Sequence, residues 1–307
     1  MGRQPAADLD QHYGSLLGER WPTLRAALLC AGPWGIRLNG FTPTQPSPPA
    51  GETWEELPAV LHSADAPFPP AGRGPDGLLA WYAMDPASVL AARELGVRPG
   101  ERVLDACAAP GGKSLVLAES LAGLGEGEHE PSGAAGQLVA NERSATRRAR
   151  LLRVLDDYLP PEWRQQVQVT GHDATRWSQH ERDAFDRILL DVPCSSEAHV
   201  LADPRALRGW TPARSKQLVR RQYALLASAL DVVRVGGTIL YSTCSVLPAE
   251  NDGVVERLLG DRKRQGRVEL RPISSPLGEA TACGRIVLPD REPGFGPIYM
   301  ARLERTA

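Results

Sequence analysis

The stretch ERVLDACAAPGGKS (101–114) decides how this chain folds. Its first part, near 102–107, is a short apolar run around Val103 and Leu104 that reads as a strand. Pro110, Gly111 and Gly112 then impose a tight turn, and the chain past Lys113 reads as a helix. Strand, turn and helix in that order form half of a parallel α/β unit. Ligands of such sheets bind at the carboxyl ends of the strands.

The alternation continues down the chain. Strands are predicted near 137–141, 167–171, 186–192 and 238–243, with helices between them. Ser144 caps the helix after ANE, and 213–233 has long amphipathic periodicity. The sum is a doubly wound, mostly parallel α/β sheet. VELRPI (268–273), GRIVLPD (284–290) and PIYMARLE (297–304) read as consecutive strands. They imply an antiparallel C-terminal hairpin on the edge of a Rossmann-like sheet. Residues 1–75 are predicted to be an N-terminal extension, and 76–307 one domain. The extension has a helix from about Trp21 to Cys30 and a proline-rich wrap over 43–76, with Trp34, Trp54 and Phe68 as packing anchors.

The glycine turn narrows the ligand. A phosphate-binding P-loop needs Gly where Cys107 stands, and Pro110 removes an amide from the anion nest. The dinucleotide pattern GxGxxG is also absent. Small residues at 108–112 let the backbone approach a ligand closely, which suits a zwitterionic amino-acid tail such as that of S-adenosylmethionine. Glu142, after LVAN, and Asp173, after VTGH, end consecutive strands. There they suit ribose hydroxyls and an adenine amine, although each also suits a helix cap. The long spacing from Gly112 to Glu142 is filled by AGLGEGEHEPSGAAG (122–136).

Composition sets mild bounds. The 307 residues carry a formal net charge of −2, so contact with nucleic acid rests on local patches. Of 35 basic residues only Lys113, Lys216 and Lys263 are lysines. A lysine in the glycine turn therefore suggests a need for a slim ammonium. Arginines cluster at 143–153 and 205–221, and a further basic group lies at 262–267. The five cysteines have no CxxC spacing, so no metal site or disulfide framework is indicated, and a reducing, cytoplasmic setting is expected. No apolar run reaches membrane-spanning length. Asp8, Asp10 and Glu19 argue against a targeting peptide, and MGRQPA lacks the Ser/Thr of a myristoylation signal.

Two cysteines stand out. Cys194 in LLDVPCSS (189–196) and Cys244 in ILYSTCSV (239–246) each follow a β-type run. Both are therefore expected at the sheet edge that holds the ligand. Cys30, Cys107 and Cys283 are expected in the core. A cofactor turn and two edge thiols suit methylation of a pyrimidine through a covalent adduct. Carbon 5 of cytosine is a poor nucleophile until a thiolate adds at carbon 6, and a thiolate also leaves readily afterwards. Asp191 is placed to face ring nitrogen 3, or the cofactor amine and methyl. Chemistry alone does not say which cysteine attacks.

DACAAPGGKS (105–114), Glu142, Asp173, DVPCSS (191–196) and STCSV (242–246) stand in the order of the Fmu/Sun family of RNA 5-methylcytosine methyltransferases, which the chain resembles over about 77–307. HYGSLLGERWP (12–22) resembles the short members of the mitochondrial rRNA type. The resemblance implies a seven-stranded, Rossmann-like sheet and S-adenosylmethionine as cofactor. It implies cofactor contacts at Cys107, Ala108, Ala109, Pro110, Gly111, Gly112, Lys113, Glu142, Arg147, Asp173 and Asp191. It also implies Cys244 as nucleophile and Cys194 as the cysteine that assists release. The RNA it implies is ribosomal, presented in an assembling small subunit or with a helper protein for targeting; naked RNA is expected to bind weakly, because the net charge is −2 and no added RNA-binding domain is recognisable. A mitochondrial matrix location is the alternative to the cytoplasm. Competing readings are a tRNA methyltransferase, a DNA methyltransferase using Cys194, and an idle RNA-binding assembly factor.

Overall fold

The computed structural model describes residues 5–30, 34–42, 49–63, 67–124 and 136–307. Residues 43–48 of the proline-rich segment, 125–135 of the Gly- and Glu-rich stretch and the Trp34 side chain lie outside the described residues.

The chain opens with α1 (Pro5–Leu17) and α2 (Trp21–Leu29). A small antiparallel sheet follows: β1 (Trp34–Leu38), β2 (Glu52–Trp54), β3 (Leu57–Ser63) and β4 (Trp81–Ala83), in the order β2-β3-β1-β4. The sequence did not announce this sheet. Its strands are three to seven residues long, set among prolines, and too short to carry a readable period. Of the expected anchors, Trp54 packs against Phe295 with ring centroids 5.0 Å apart.

After α3 (Pro86–Glu94) the main sheet begins. β5 (Arg102–Asp105), β6 (Gln137–Asn141), β7 (Val167–Thr170), β8 (Phe185–Asp191) and β9 (Val233–Thr243) are mutually parallel. α4 (Gly112–Leu121), α5 (Ala145–Tyr158) and α6 (Pro161–Arg164) lie in the crossovers of the first three strands. α7 (Glu197–Ala202), α8 (Pro204–Arg208) and α9 (Pro212–Val232) link β8 to β9. Ser144 caps α5 as expected, its hydroxyl accepting from the Arg147 amide at 3.4 Å. β9 begins earlier than predicted because Gly236, at φ 76°, bends the chain without ending the strand.

The C-terminal strands are β10 (Val268–Arg271), β11 (Glu279–Ala280), β12 (Arg285–Val287) and β13 (Ile298–Arg305), with α10 (Asp252–Leu259) before them. β13 lies antiparallel to β9. The full order is β11-β12-β13-β9-β8-β5-β6-β7, with β10 also on β13. The seven expected strands are thus nine among the described residues. Neither β10 nor β12 can span the eight residues of β13, so they share its outer edge, and β11 extends β12.

Both faces of the sheet are covered, so the central strands bury consecutive residues, Val103–Asp105, Leu138–Asn141 and Ile188–Leu190. Val103, Leu138 and Leu189 meet Leu90, Leu115, Leu151 and Leu155 of α3, α4 and α5. Leu104, Ile188, Leu190 and Ile239 meet Leu225, Leu226, Leu230 and Leu258 of α9 and α10. A third cluster seats Leu9, Tyr13, Trp21, Leu24 and Leu28 on Val200, Trp210, Val246 and Leu247. The N-terminal helices therefore press on the carboxyl-end loops of β8 and β9. Cys283 is buried as expected, but Cys30 is exposed. It lies off the Trp21, Leu24, Leu28 stripe of α2, so the core passes it by. No helix among the described residues is long and apolar enough to cross a membrane.

Candidate active site

β5 ends at Asp105, and α4 begins at Gly112 after a turn through Cys107–Gly111. Gly111 has φ 125°, and a Cβ there would lie 2.9 Å from Val154 of α5. A Cβ on Gly112 would lie 2.8 Å from the Tyr82 ring of β4. Two elements therefore squeeze the turn, and only glycine fits at either position. Asp105 sits at its floor, 1 % exposed. Its Oδ2 accepts from Ser114 Oγ at 2.7 Å, while buried Oδ1 has no partner. Burial pushes the Asp105 carboxyl up to about 7; the Ser114 bond opposes the shift and the nearby Asp191 charge adds to it. It faces a cavity of about 210 Å³ lined also by Tyr82, Met84, Ser88, Gly112 and Lys113. An orphan carboxylate oxygen beside a glycine cradle fits the ammonium end of an amino-acid tail, so the residues present fit S-adenosylmethionine. Asp105 is not among the expected cofactor residues, although an acid closing the strand before CAAPGG is its signal.

Glu142 and Asp173 stand at the ends of β6 and β7, as expected. Glu142 Oε1 accepts from the Ser144 amide at 2.7 Å, and Oε2 pairs with Arg147 at 3.2 Å. Arg147 also donates to the Ala109 carbonyl at 2.6 Å, so it ties the glycine turn to Glu142. Asp173 caps the 3₁₀ turn Ala174–Gln179, its Oδ1 accepting from Thr175 Oγ1 at 2.8 Å, and its Oδ2 pairs with Arg143 at 3.2 Å. Burial acts to raise its carboxyl, but the Thr175 bonds and Arg143 outweigh it and hold the group below the usual range.

The thiols meet where β8 and β9 end. Cys194 Sγ and Cys244 Sγ are 2.8 Å apart, and both cysteines are free. Ser196 sits between them at φ 52°, in the left-handed region, with its hydroxyl 3.1 Å from Cys244 Sγ and 3.4 Å from Cys194 Sγ. The Cys194 hydrogen bond holds the Cys244 thiol below its ordinary value; burial opposes this and Ser196 helps. Cys194 is pushed well up by the same contact and by burial. Of the two, Cys244 ionises first. Beside them Lys113 Nζ pairs with Asp191 Oδ2 at 2.9 Å and donates to Ser88 Oγ at 2.9 Å. Burial disfavours the Lys113 charge, but Asp191 outweighs it and raises the ammonium above its ordinary value. Burial and the surrounding carboxylates push Cys107 up, so that thiol stays protonated.

A cavity of about 510 Å³ joins these groups. Cys107, Ala109, Lys113, Arg147, Asp191, Cys194 and Cys244 all line it. Ala108, Pro110 and Gly112 line the smaller cavity, which shares Cys107, Ala109, Lys113 and Asp191 with the larger. Gly111, Glu142 and Asp173 line neither. Ser88, Ser196 and His199, none of them an expected site residue, also line the larger cavity. Ser88 and His199 carried no signal, since only folding brings α3 and α7 to this edge. Ser196 stood in view inside PCSS. Among the described residues no cluster of His, Cys, Asp and Glu could hold a metal ion.

The chain is similar to known proteins over most of its length. Residues 92–304 match the family model of the 16S rRNA methyltransferases RsmB/F. The chain is 30% identical to the 5-cytosine rRNA methyltransferase NSUN4 of Bos taurus, over 97% of this chain and 88% of that one. It is 31% identical to the mitochondrial tRNA (cytosine(34)-C(5))-methyltransferase of Danio rerio, over 96% of this chain and 86% of that one. The structure of NSun6 from Pyrococcus horikoshii superposes with TM-score 0.76 at 18% identity, covering 98% of each chain, and so shares the fold. The family match runs from α3 to the last strand, and the chain belongs to the RsmB/F family of 16S rRNA methyltransferases.

Proposed function

We propose that this chain, by family an S-adenosylmethionine-dependent RNA (cytosine-5) methyltransferase, acts on ribosomal RNA through a covalent adduct between Cys244 and carbon 6 of the target cytosine. The observation that carries this reading is the pair of free thiols 2.8 Å apart on the wall that also holds Lys113 and Asp191. In this reading residues 1–75 form an extension docked on a methyltransferase domain over 76–307. The turn Cys107 to Lys113, with Asp105, holds the amino-acid tail of the cofactor. Glu142 takes the ribose hydroxyls and Asp173 the adenine amine, while Arg147 orders Glu142 against the turn. When bound, S-adenosylmethionine supplies the electrophilic methyl group.

The Cys244 thiolate forms a bond to carbon 6, and the double-bond pair shifts to make carbon 5 nucleophilic. Lys113 and Asp191 offer a charged donor and an acceptor on the same wall as negative charge develops on the ring. Once Cys244 is a neutral thioether, the hydrogen bond to its sulfur that chiefly raised Cys194 is relieved together with the thiolate charge, and burial alone still opposes ionisation. Cys194 then ionises to solvent and takes the carbon 5 proton. The carbon 5–carbon 6 double bond re-forms and expels Cys244 as thiolate.

Ribosomal RNA is favoured because the bovine relative is named for it. A net charge of −2 fits RNA delivered in an assembling subunit or by a helper protein, in the cytoplasm or the mitochondrial matrix. The mechanism is tested with two variants. Cys244→Ala is expected to abolish methyl transfer and form no adduct. Cys194→Ala is expected to accumulate an RNase-sensitive, slow-migrating band on denaturing gels. The reversed pattern would assign attack to Cys194.

A further inference from the structure

The two cysteines belong to different loops, and something must fix the distance between them. Each is followed by a serine, Ser195 and Ser245, both buried. Their hydroxyl oxygens lie 2.9 Å apart. Both donate to one oxygen of Glu197, Ser245 at 3.1 Å and Ser195 at shorter range. The other Glu197 oxygen accepts from the Val246 amide at 3.1 Å. Glu197 is covalently part of the Cys194 loop, yet it is hydrogen-bonded to the Cys244 loop through Ser245 and Val246. It is 1 % exposed, so water does not compete for these bonds. A fourth donor arrives from far along the chain: Tyr13 of α1 gives its hydroxyl to the first oxygen at 2.6 Å. The Tyr13 ring is fully buried and stacked on Trp21 at 4.8 Å between centroids.

We propose that Glu197, held by Tyr13, is a positioning residue that sets the separation of the Cys194 and Cys244 thiols, making the N-terminal helix part of the catalytic apparatus. This rests on the assignment of Cys244 to attack and Cys194 to release. Both carboxylate oxygens act as acceptors. A glutamine loses the charge; it either sets its NH2 against the Val246 amide, donor facing donor, or turns that NH2 to the three hydroxyls, which must then reverse from donating to accepting and give up the shared acceptor. Tyr13→Phe removes one bond and keeps the ring packing. Attack needs the Cys244 thiolate, which the Ser196 hydroxyl 3.1 Å away supports as well as Cys194, whereas release needs Cys194 itself in register with the bound base. Loosening the brace therefore slows release more than attack.

The experiment follows single-turnover adduct formation and decay on RNA for the wild type, Tyr13→Phe, Glu197→Gln, Cys194→Ala and Cys244→Ala. Expected are adduct decay slowed about threefold in Tyr13→Phe and about tenfold or more in Glu197→Gln, the range for bonds to a charged group. Adduct formation per folded molecule and KM for S-adenosylmethionine are expected to stay near wild type. Simple destabilisation would lower both rates together and leave their ratio unchanged. If Cys194→Ala and Cys244→Ala behave as assigned while Tyr13→Phe decays at the wild-type rate, the brace is refuted and the chemistry stands. If Cys244→Ala still forms adduct, the chemical assignment itself fails. Should Glu197→Gln not fold, Tyr13→Phe decides alone.

Discussion

Asp105 shows how one buried oxygen links stability to binding. Its carboxyl sits at about 7 in the folded protein, above the ordinary carboxylate value. The folded state therefore holds this proton more tightly than the unfolded chain, and the group lowers stability as pH climbs from about 4 to about 7. A cofactor ammonium beside Oδ1 favours the ionised form and drives the proton off. Calorimetry of S-adenosylhomocysteine binding at pH 6.5, in buffers of different ionisation enthalpy, is expected to show release of roughly half a proton to one proton. Asp105→Asn is expected to abolish the buffer dependence. Equal heats in all buffers for the wild type would remove Asp105 from the cofactor site.

At the scale of elements, the glycine turn is defined by what presses on it. Gly111 is left-handed and has α5 against it; Gly112 has β4 against it. Gly111→Ala carries both a backbone penalty and a clash with Val154. It is expected to cost about 2 kcal/mol of stability by urea titration and to weaken S-adenosylhomocysteine binding, because α4 must move to relieve the contact. Unchanged affinity with lowered stability would show that the turn holds α4 but not the ligand. The need for glycine at 111 was legible in PGGK; the reason for glycine at 112 was not, since Tyr82 lies thirty residues upstream.

Over the whole molecule, the basic clusters separate by how they are paired. Arg264 and Arg267 bind Asp231, and Arg143 and Arg147 bind Asp173 and Glu142. Arg205, Arg208, Arg214, Lys216 and Arg220, on α8 and α9, are exposed and carry no ion pair among the described residues. They adjoin α7, whose His199 lines the larger cavity. Replacing Arg205, Arg208, Arg214 and Lys216 by alanine is expected to raise KM for RNA about tenfold. The same change is expected to flatten its salt dependence by about 0.7 in log–log slope for each phosphate left without its cation. S-adenosylhomocysteine affinity is expected to hold. An unchanged KM would place the RNA on another face. Immature small subunits are expected to be methylated in preference to free tRNA; efficient methylation of a tRNA transcript with ribosomal RNA inert would favour the tRNA reading.

What the sequence determined by itself was local or periodic. Short β-type stretches, VL, LVA, VQV and ILL, marked β5 to β8, PGGK marked the turn, and the spacing of DVPCSS and STCSV put both cysteines at strand ends. These signals survive in a linear reading because each is written within about ten residues. Tertiary structure decided the rest, because the partners lie far apart in the chain. Tyr13 and Glu197 are 184 residues apart, and Tyr82 meets Gly112 only after β4 docks on the turn. The small N-terminal sheet, the split last row of the main sheet and the order in which the two thiols ionise belong to the same class. Each depends on which groups burial brings within a few ångströms, and neither composition nor period records that.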